Sequence, residues 1–245
     1  MELGIIGNCQ YSALINRKGN ISWLCWPRFD SSFIFGNVLD KDKGGFFEIC
    51  GDNDQEGQQD YIANTNVLRT VFTTENGSFE VIDFAPRFHQ YNRYFKPKSL
   101  IRIVRPLTGK PRCKVRIDAK LDYGKESSTQ TYESNHIQFF GYDSPMRLTT
   151  NAPLTYISSA SSFMVDRTFY FALTYGHPIK SDLKEVCDQF YEKTCQYWDT
   201  WIKHSHLPAQ FQKEVIRSAL VLKLHQFEDT GAIIAATTTS IPEAE

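Results

Sequence analysis

Short strand-like runs separated by turn residues fill the first three quarters of the chain, and they predict a mainly β, antiparallel fold of the sandwich or barrel kind. Aromatic residues supply 14% of the 245 positions, led by 18 Phe and 12 Tyr, which suits half-buried pleated surfaces. From Ser181 the apolar residues recur at helical spacing instead, so helices follow the sheet portion rather than alternate with its strands.

In chain order, Ser12 to Asn16 and Ile21 to Cys25 read as a hairpin around the turn residues Arg17-Lys18-Gly19-Asn20. Thr65 to Thr74 and Ser78 to Phe84 flank Asn76-Gly77, a dipeptide that supplies positive φ at both central positions of a tight turn. Ser99 to Pro106 and Arg112 to Ala119 flank Thr108-Gly109-Lys110-Pro111 in the same manner. Shorter strands are expected over Gln130 to Glu133, His136 to Phe140, Leu154 to Ser158, Phe163 to Val165 and Thr168 to Tyr175. Leu183, Val186, Cys187, Phe190, Tyr191, Trp198, Trp201 and Ile202 then mark one side of an amphipathic helix that Ser181 can cap. Its aromatic stripe, with Tyr197, Trp198 and Trp201, reads as a packing face rather than a ligand platform. A second helix opens near Pro208, runs through Phe211, Val215, Ile216, Ala219, Leu220 and Leu224, and stops by Gly231. Ala232 to Ala236 reads as a short apolar strand, and Thr237 to Glu243 as a loop. One helix and one strand are too little to close a second core, so this last segment reads as the beginning of a further domain.

A formal net charge of -1 without a local basic cluster argues against nucleic acid as a partner. Arg102, Arg105, Lys110, Arg112, Lys114 and Arg116 alternate along the expected strands and read as a solvated sheet face. No apolar run approaches the roughly 20 residues of a membrane span, so no membrane partner is expected. The first residues lack the basic-then-apolar pattern of a secretory signal, which points to a cytoplasmic protein. Cys9, Cys25, Cys50, Cys113, Cys187 and Cys195 include no Cys-x-x-Cys pair, and in a reducing compartment most act as small buried apolar residues. His204 and His206 stand two apart without further ligands at a recognised spacing, so neither a metal nor any other cofactor is expected.

Three stretches resemble glycoside hydrolases of family 15, the bacterial glucoamylase and trehalase-like group. The first is Gly7-Asn8-Cys9-Gln10-Tyr11-Ser12-Ala13-Leu14, continued by Gly19-Asn20-Ile21-Ser22-Trp23-Leu24-Cys25-Trp26-Pro27-Arg28-Phe29-Asp30-Ser31. The second is Tyr61-Ile62-Ala63-Asn64-Thr65-Asn66-Val67-Leu68, followed by the run from Gly77 to Pro86. The third joins Ala219 to Leu224 with Thr230 to Glu243. Ser32 and Thr237 depart from the pattern, standing where such proteins usually carry Pro. The resemblance implies an antiparallel β-supersandwich over residues 1–180, a linker helix over 181–206, and the first helix of an incomplete (α/α)6 barrel over 207–245. It also implies inverting hydrolysis of an α-glucosidic bond by glutamates deep in that barrel. None of those glutamates falls among these residues, so no catalytic residue is assigned.

Inverting hydrolysis needs two carboxyl groups about 6.5–9.5 Å apart. Asp30, Asp83, Glu228, Asp229 and Glu243 are the candidates, and nothing in the sequence pairs any two of them. Asp83 reads as a strand-end carboxylate held by backbone N–H groups, and Glu228-Asp229 as an exposed helix end. For substrate binding the candidates are Trp26, Arg28, Phe29 and Asp30. Their rings suit the apolar face of a sugar, and the forked cation and carboxylate suit its hydroxyls. The competing reading buries both tryptophans, with Trp23 alternating with Ile21 on one face, and makes Arg28–Asp30 a local ion pair. The function expected is the front portion of an α-glucosidic hydrolase, supporting the barrel and lining its substrate entrance, with an α-glucoside or oligosaccharide bound through the complete enzyme. The alternative is a non-catalytic carbohydrate-binding or assembly module from a truncated gene. Apolar surface on the unfinished barrel segment predicts self-association or a poorly ordered tail.

Overall fold

The structure is a computed structural model that describes residues 3–238. Glu243 and the part of the expected loop beyond Thr238 lie outside the described residues. Two antiparallel sheets face one another across a shared core, so the mainly β architecture follows the strand pattern. The first sheet runs in the order Leu3–Gly7, Ser12–Asn16, Asn20–Cys25, Phe46–Gly51, Arg112–Asp118 and Phe163–Met164. Phe33–Phe35 pairs with Asn20–Cys25 off this path. The second runs Thr129–Tyr132, His136–Phe140, Met146–Thr150, Phe169–Tyr175, Ser99–Gly109, Gly77–Phe84, Leu68–Thr74 and Gln58–Tyr61. A separate hairpin pairs Phe88–Gln90 with Arg93–Phe95. Helices α1 (Leu154–Ser158), α2 (Leu183–Lys203) and α3 (Gln212–Leu224) complete the chain.

Side chains alternate across the second sheet. In Gly77–Phe84, Phe79 and Val81 enter the shared core, while Ile82 and Phe84 join Ile101, Ile103, Tyr170 and Ala172 on the outer face. Leu183, Cys187, Phe190 and Tyr191 of α2 cover that outer face. Tyr197, Trp198 and Ile202, in the second half of α2, pack instead against Ile5, Phe88 and the α3 residues Leu220 and Leu224. Burying a large apolar side chain contributes roughly 1.5–3 kcal/mol, so this docking outweighs helix propensity in holding α2 and α3.

Several local expectations change. Ser99–Gly109 and Arg112–Asp118 do not form a hairpin. The first pairs with Gly77–Phe84 and Phe169–Tyr175, the second with Phe46–Gly51, so Lys110-Pro111 carries the chain from one sheet to the other. In the Asn76-Gly77 turn the register pairs Thr74 with Gly77, which leaves Glu75-Asn76 as the loop. Gly77 is the first strand residue, with φ +144°, and a Cβ there would lie 2.1 Å from the Thr108 carbonyl oxygen. Leu154–Ser158 is a helical turn following Pro153 rather than a strand. Asp182, not Ser181, caps α2, its side chain accepting from the Glu185 N–H at 2.9 Å. The last helix begins at Gln212, beyond Pro208, and the expected strand after it is reduced to a single bridge between Gln226 and Ile233.

A bulge alters the Asn20–Cys25 strand. Pairing slips between Leu14 and Ile15, so Ile21 and Leu24 both face the shared core while Trp23 and Cys25 pack with Phe33 on the other side. Ile21 and Trp23 therefore do not share a face.

Arg102 is not solvated. It and Asp83, directly opposite on the neighbouring strand, are both fully buried. Nε donates to Asp83 Oδ1 at 2.7 Å and Nη2 to Oδ2 at 3.3 Å. The guanidinium then crosses to the first sheet, donating to the carbonyls of Phe47 at 2.8 Å and Gly19 at 2.7 Å, above the Phe47 ring. Gly19 itself sits at φ +72°, where a Cβ would lie 2.1 Å from the Ile49 carbonyl oxygen. Removing one member of such a pair leaves an uncompensated buried charge. Arg102→Met should therefore cost about 3–5 kcal/mol of unfolding free energy in urea, and adding Asp83→Leu should recover a large part of it.

Candidate functional site

The three stretches singled out in the sequence meet along one seam, where the sandwich contacts α3 and the segment after it. At its centre is Arg87, which is fully buried and follows directly on Pro86. Its Nη1 donates to the Asn8 carbonyl at 2.8 Å and to Glu228 Oε2 at 3.0 Å, and Nη2 donates to Glu228 Oε1 at 2.5 Å. The guanidinium lies 4.8 Å from the ring centroids of both Tyr94 and Tyr197. Asn8 holds the opposite wall, donating to the carbonyls of Pro97 at 2.8 Å and Pro86 at 3.3 Å. Lys96 Nζ adds contacts of 3.0 Å to Glu228 and 2.5 Å to Asp229. The Glu228 backbone N–H donates to the Cys9 carbonyl at 3.0 Å, and Cys9 Sγ donates to the Lys223 carbonyl at 3.3 Å. Partial burial works to raise the Glu228 carboxyl, but the hydrogen bonds and charges of Arg87 and Lys96 outweigh it and bring the pKa down to about 2.

A second polar clamp seats α3. Arg217 donates from Nη1 to the Thr65 carbonyl at 2.8 Å and from Nη2 to Asn66 Oδ1, and its guanidinium lies 3.9 Å from the centroid of the Tyr61 ring. Asn66 in turn donates to the Leu220 carbonyl at 3.3 Å. The Tyr61 hydroxyl accepts from the Ile5 N–H at 2.7 Å and lies 3.0 Å from the Ile5 carbonyl oxygen, which ties the clamp to the edge of the first sheet.

The sequence candidates for sugar contact part company. Trp26 is buried in the sandwich core, edge-on to Tyr11 at 5.3 Å and Tyr175 at 6.0 Å. Phe29 is also buried, 6.2 Å from Phe227 of the segment after α3. Arg28 and Asp30 are exposed and joined by a 2.9 Å ion pair, with the Arg28 guanidinium 5.5 Å from the Phe227 ring centroid. Arg28, Phe29 and Asp30 thus gather at Phe227, while Trp26 belongs to the core. Trp23 joins the seam through its indole N–H, which donates to the Thr237 carbonyl at 2.7 Å.

Every described candidate carboxylate is held by a cation. Asp83 pairs with Arg102, Glu228 with Arg87 and Lys96, Asp229 with Lys96, and Asp30 with Arg28. Asp229 is exposed as its position suggests, but Glu228 is partly buried and ion-paired, and with its pKa near 2 it cannot deliver a proton at neutral pH. Among the described residues no three His, Cys, Asp or Glu side chains are grouped to hold a metal ion. Among the described residues no two cysteines form a disulfide; burial pushes Cys50 and Cys187 up to about 12 and Cys195 to about 11. The seam is built to hold two parts of a protein together rather than to move protons. Sequence reasoning missed Arg87, Tyr94 and Arg217, although Arg87 adjoins the second stretch and Arg217 the third.

The model of the family described as trehalase-like, N-terminal, matches residues 2–162. Along almost the whole chain the sequence is similar to proteins named trehalase. Trehalase 1 of Sulfolobus acidocaldarius is 31% identical over 99% of this chain and 40% of its own length. The trehalase of Thermoplasma volcanium is 28% identical over 98% of this chain and 40% of its own. That of Mycolicibacterium smegmatis is 28% identical over 99% of this chain and 40% of its own. The chain thus spans about two fifths of the length of these curated relatives.

The seam has a pH signature. Because folding lowers the Glu228 pKa, its contribution to stability is complete above the ordinary glutamate value of 4.5 and is lost as the pH falls toward about 2. Glu228→Gln should lower the urea midpoint at pH 7, and the gap from wild type should close between pH 4.5 and 2. A gap that stays constant with pH would show that the ion pair contributes nothing.

Proposed function

Because the chain belongs to the trehalase-like N-terminal family, we propose that it forms the front portion of an inverting α-glucosidic hydrolase of glycoside hydrolase family 15, with trehalose the first substrate to test. The observation that carries this reading is continuous similarity over 98–99% of the chain to proteins named trehalase, of which it spans 40%. In it, residues 1–180 are the β-supersandwich domain, 181–206 the linker helix, and 207–245 the start of an (α/α)6 barrel that carries the catalytic glutamates elsewhere. The engaged state of every described candidate carboxylate supports placing the chemistry outside these residues. The role of the sandwich is then mechanical: Arg217 seats the first barrel helix and Arg87 holds the segment after it, while the exposed Arg28 and Asp30, above the buried Phe29, line the substrate entrance.

Exposed Phe211, Leu222 and Ile233 support packing against further barrel helices or, without them, against a second copy of the chain. No helix among the described residues is long and apolar enough to cross a membrane. Six cysteines without a disulfide among the described residues support a reducing, cytoplasmic setting.

The test is hydrolysis of trehalose and maltose by this 245-residue protein alone and by the same residues joined to the remaining portion of one of the relatives. We expect no turnover from the first. From the second we expect release of glucose, with inversion at the attacked anomeric carbon seen by proton NMR. Turnover by the 245 residues alone would place the chemistry in the sandwich and overturn the reading.

A further inference from the structure

The stripe of rings on α2 is divided in use. Trp198 is fully buried between α2 and α3, as a packing residue should be. Beside it and nearly one turn on, Tyr197 and Trp201 face the Phe88–Phe95 hairpin across a cleft of about 570 Å³, within the roughly 300–1,000 Å³ of small-ligand sites. Phe88 and Tyr94 form the opposite wall, and Gln196 and Lys193 stand at the rim. Trp201 is half-buried and Tyr94 exposed, so aromatic surface remains open to solvent after the protein has folded.

The walls are held in place before any ligand arrives. Tyr94 and Tyr197 meet edge to face at 6.1 Å and 89°, and the buried Arg87 guanidinium lies against both rings. Lys193 Nζ lies 5.1 Å from the centroid of the Phe88 ring, which directs its ammonium toward the cleft wall. The Gln196 amide makes no side-chain hydrogen bond among the described residues and offers both a donor and an acceptor. His89, Thr200 and His204 complete the lining; among the described residues no carboxylate lines the cleft, and its single ammonium, at the rim, attracts an anionic group only weakly. Rigid rings with an unspent amide fit a flat ligand that is apolar on its faces and hydroxylated at its edges.

We propose that this cleft binds a neutral pyranose, the glucose unit of an α-glucoside, as a non-catalytic sugar site on the sandwich side of the molecule. The choice of glucoside rests on the reading above; the cleft, its rings and its free amide do not. The ring of the sugar lies along Trp201 and Tyr94, and Gln196 exchanges hydrogen bonds with its hydroxyls.

Titration of the 245-residue protein with trehalose, maltose and glucose, followed by calorimetry and by tryptophan fluorescence, tests this. We expect saturable binding with a millimolar Kd, abolished by Trp201→Ala and weakened at least about tenfold by Gln196→Ala, a change of surface side chain only. Thermal midpoints of both variants report whether they fold, and Gln196→Ala is expected to melt with wild type. Absence of saturable binding by any of the three sugars, or binding that survives both substitutions, overturns the proposal. The hydrolysis test of the joined protein stands apart from this one, so either reading can fail without the other.

Discussion

A single guanidinium with no access to water, that of Arg102, holds the two sheets in register. It spends two donors on Asp83 across one strand pair and two more on carbonyls of the facing sheet. A group of this kind is costly to bury and tolerable only when every donor is matched, so its geometry admits one alignment of the sheets. That alignment fixes where Gly7–Tyr11, Tyr61–Asn66 and Arg87 emerge at the end of the sandwich. Arg87 then repeats the device one level up, using Glu228, the Asn8 carbonyl and two tyrosine rings to hold the segment after α3. Two buried arginines organise the molecule, one between sheets and one between the sandwich and its helices.

The antiparallel fold and the switch to helices were legible because periodicity reports burial directly. Strand partners were not. Ser99–Gly109 and Arg112–Asp118 look like a hairpin since a turn lies between them, but the chain uses that turn to change sheets, and no local signal distinguishes the two uses. The bulge at Leu14/Ile15 has the same character, since one extra residue moves Trp23 to the opposite face from Ile21 without changing the alternating pattern. Phe46–Gly51 escaped notice because most of it is buried on both faces, leaving no alternation to read.

Charges were harder still. Arg102 and Arg105 sit in one strand with the same residue type, yet the first is fully buried and the second only partly so. The difference is one of face: Arg102 shares the inner face with Leu100 and Val104, whereas Arg105, itself opposite Glu80, falls on the α2 side with Ile101 and Ile103, beside Tyr191. Glu228 reads as solvated until Arg87, 141 residues earlier, is brought beside it. Of the residues expected to meet sugar, Trp26 and Phe29 are buried by contacts distant in sequence, whereas Trp201, read as part of a packing stripe, keeps an open face because α2 is covered along only part of its surface. The stretches that carry the resemblance meet at the seam, but their sequence does not say what the seam does. Its residues are those that let a sandwich carry a helical partner in a fixed pose.

That fixed pose is the central claim, and native-state hydrogen exchange tests it most directly. If Arg87–Glu228 and the Arg217 clamp join the parts into one cooperative unit, amides around Leu220 and Leu224 in α3 should exchange with the same free energy as those of Gly77–Phe84. Exchange of the α3 amides through a much cheaper local opening, with the sheet still protected, would contradict the account.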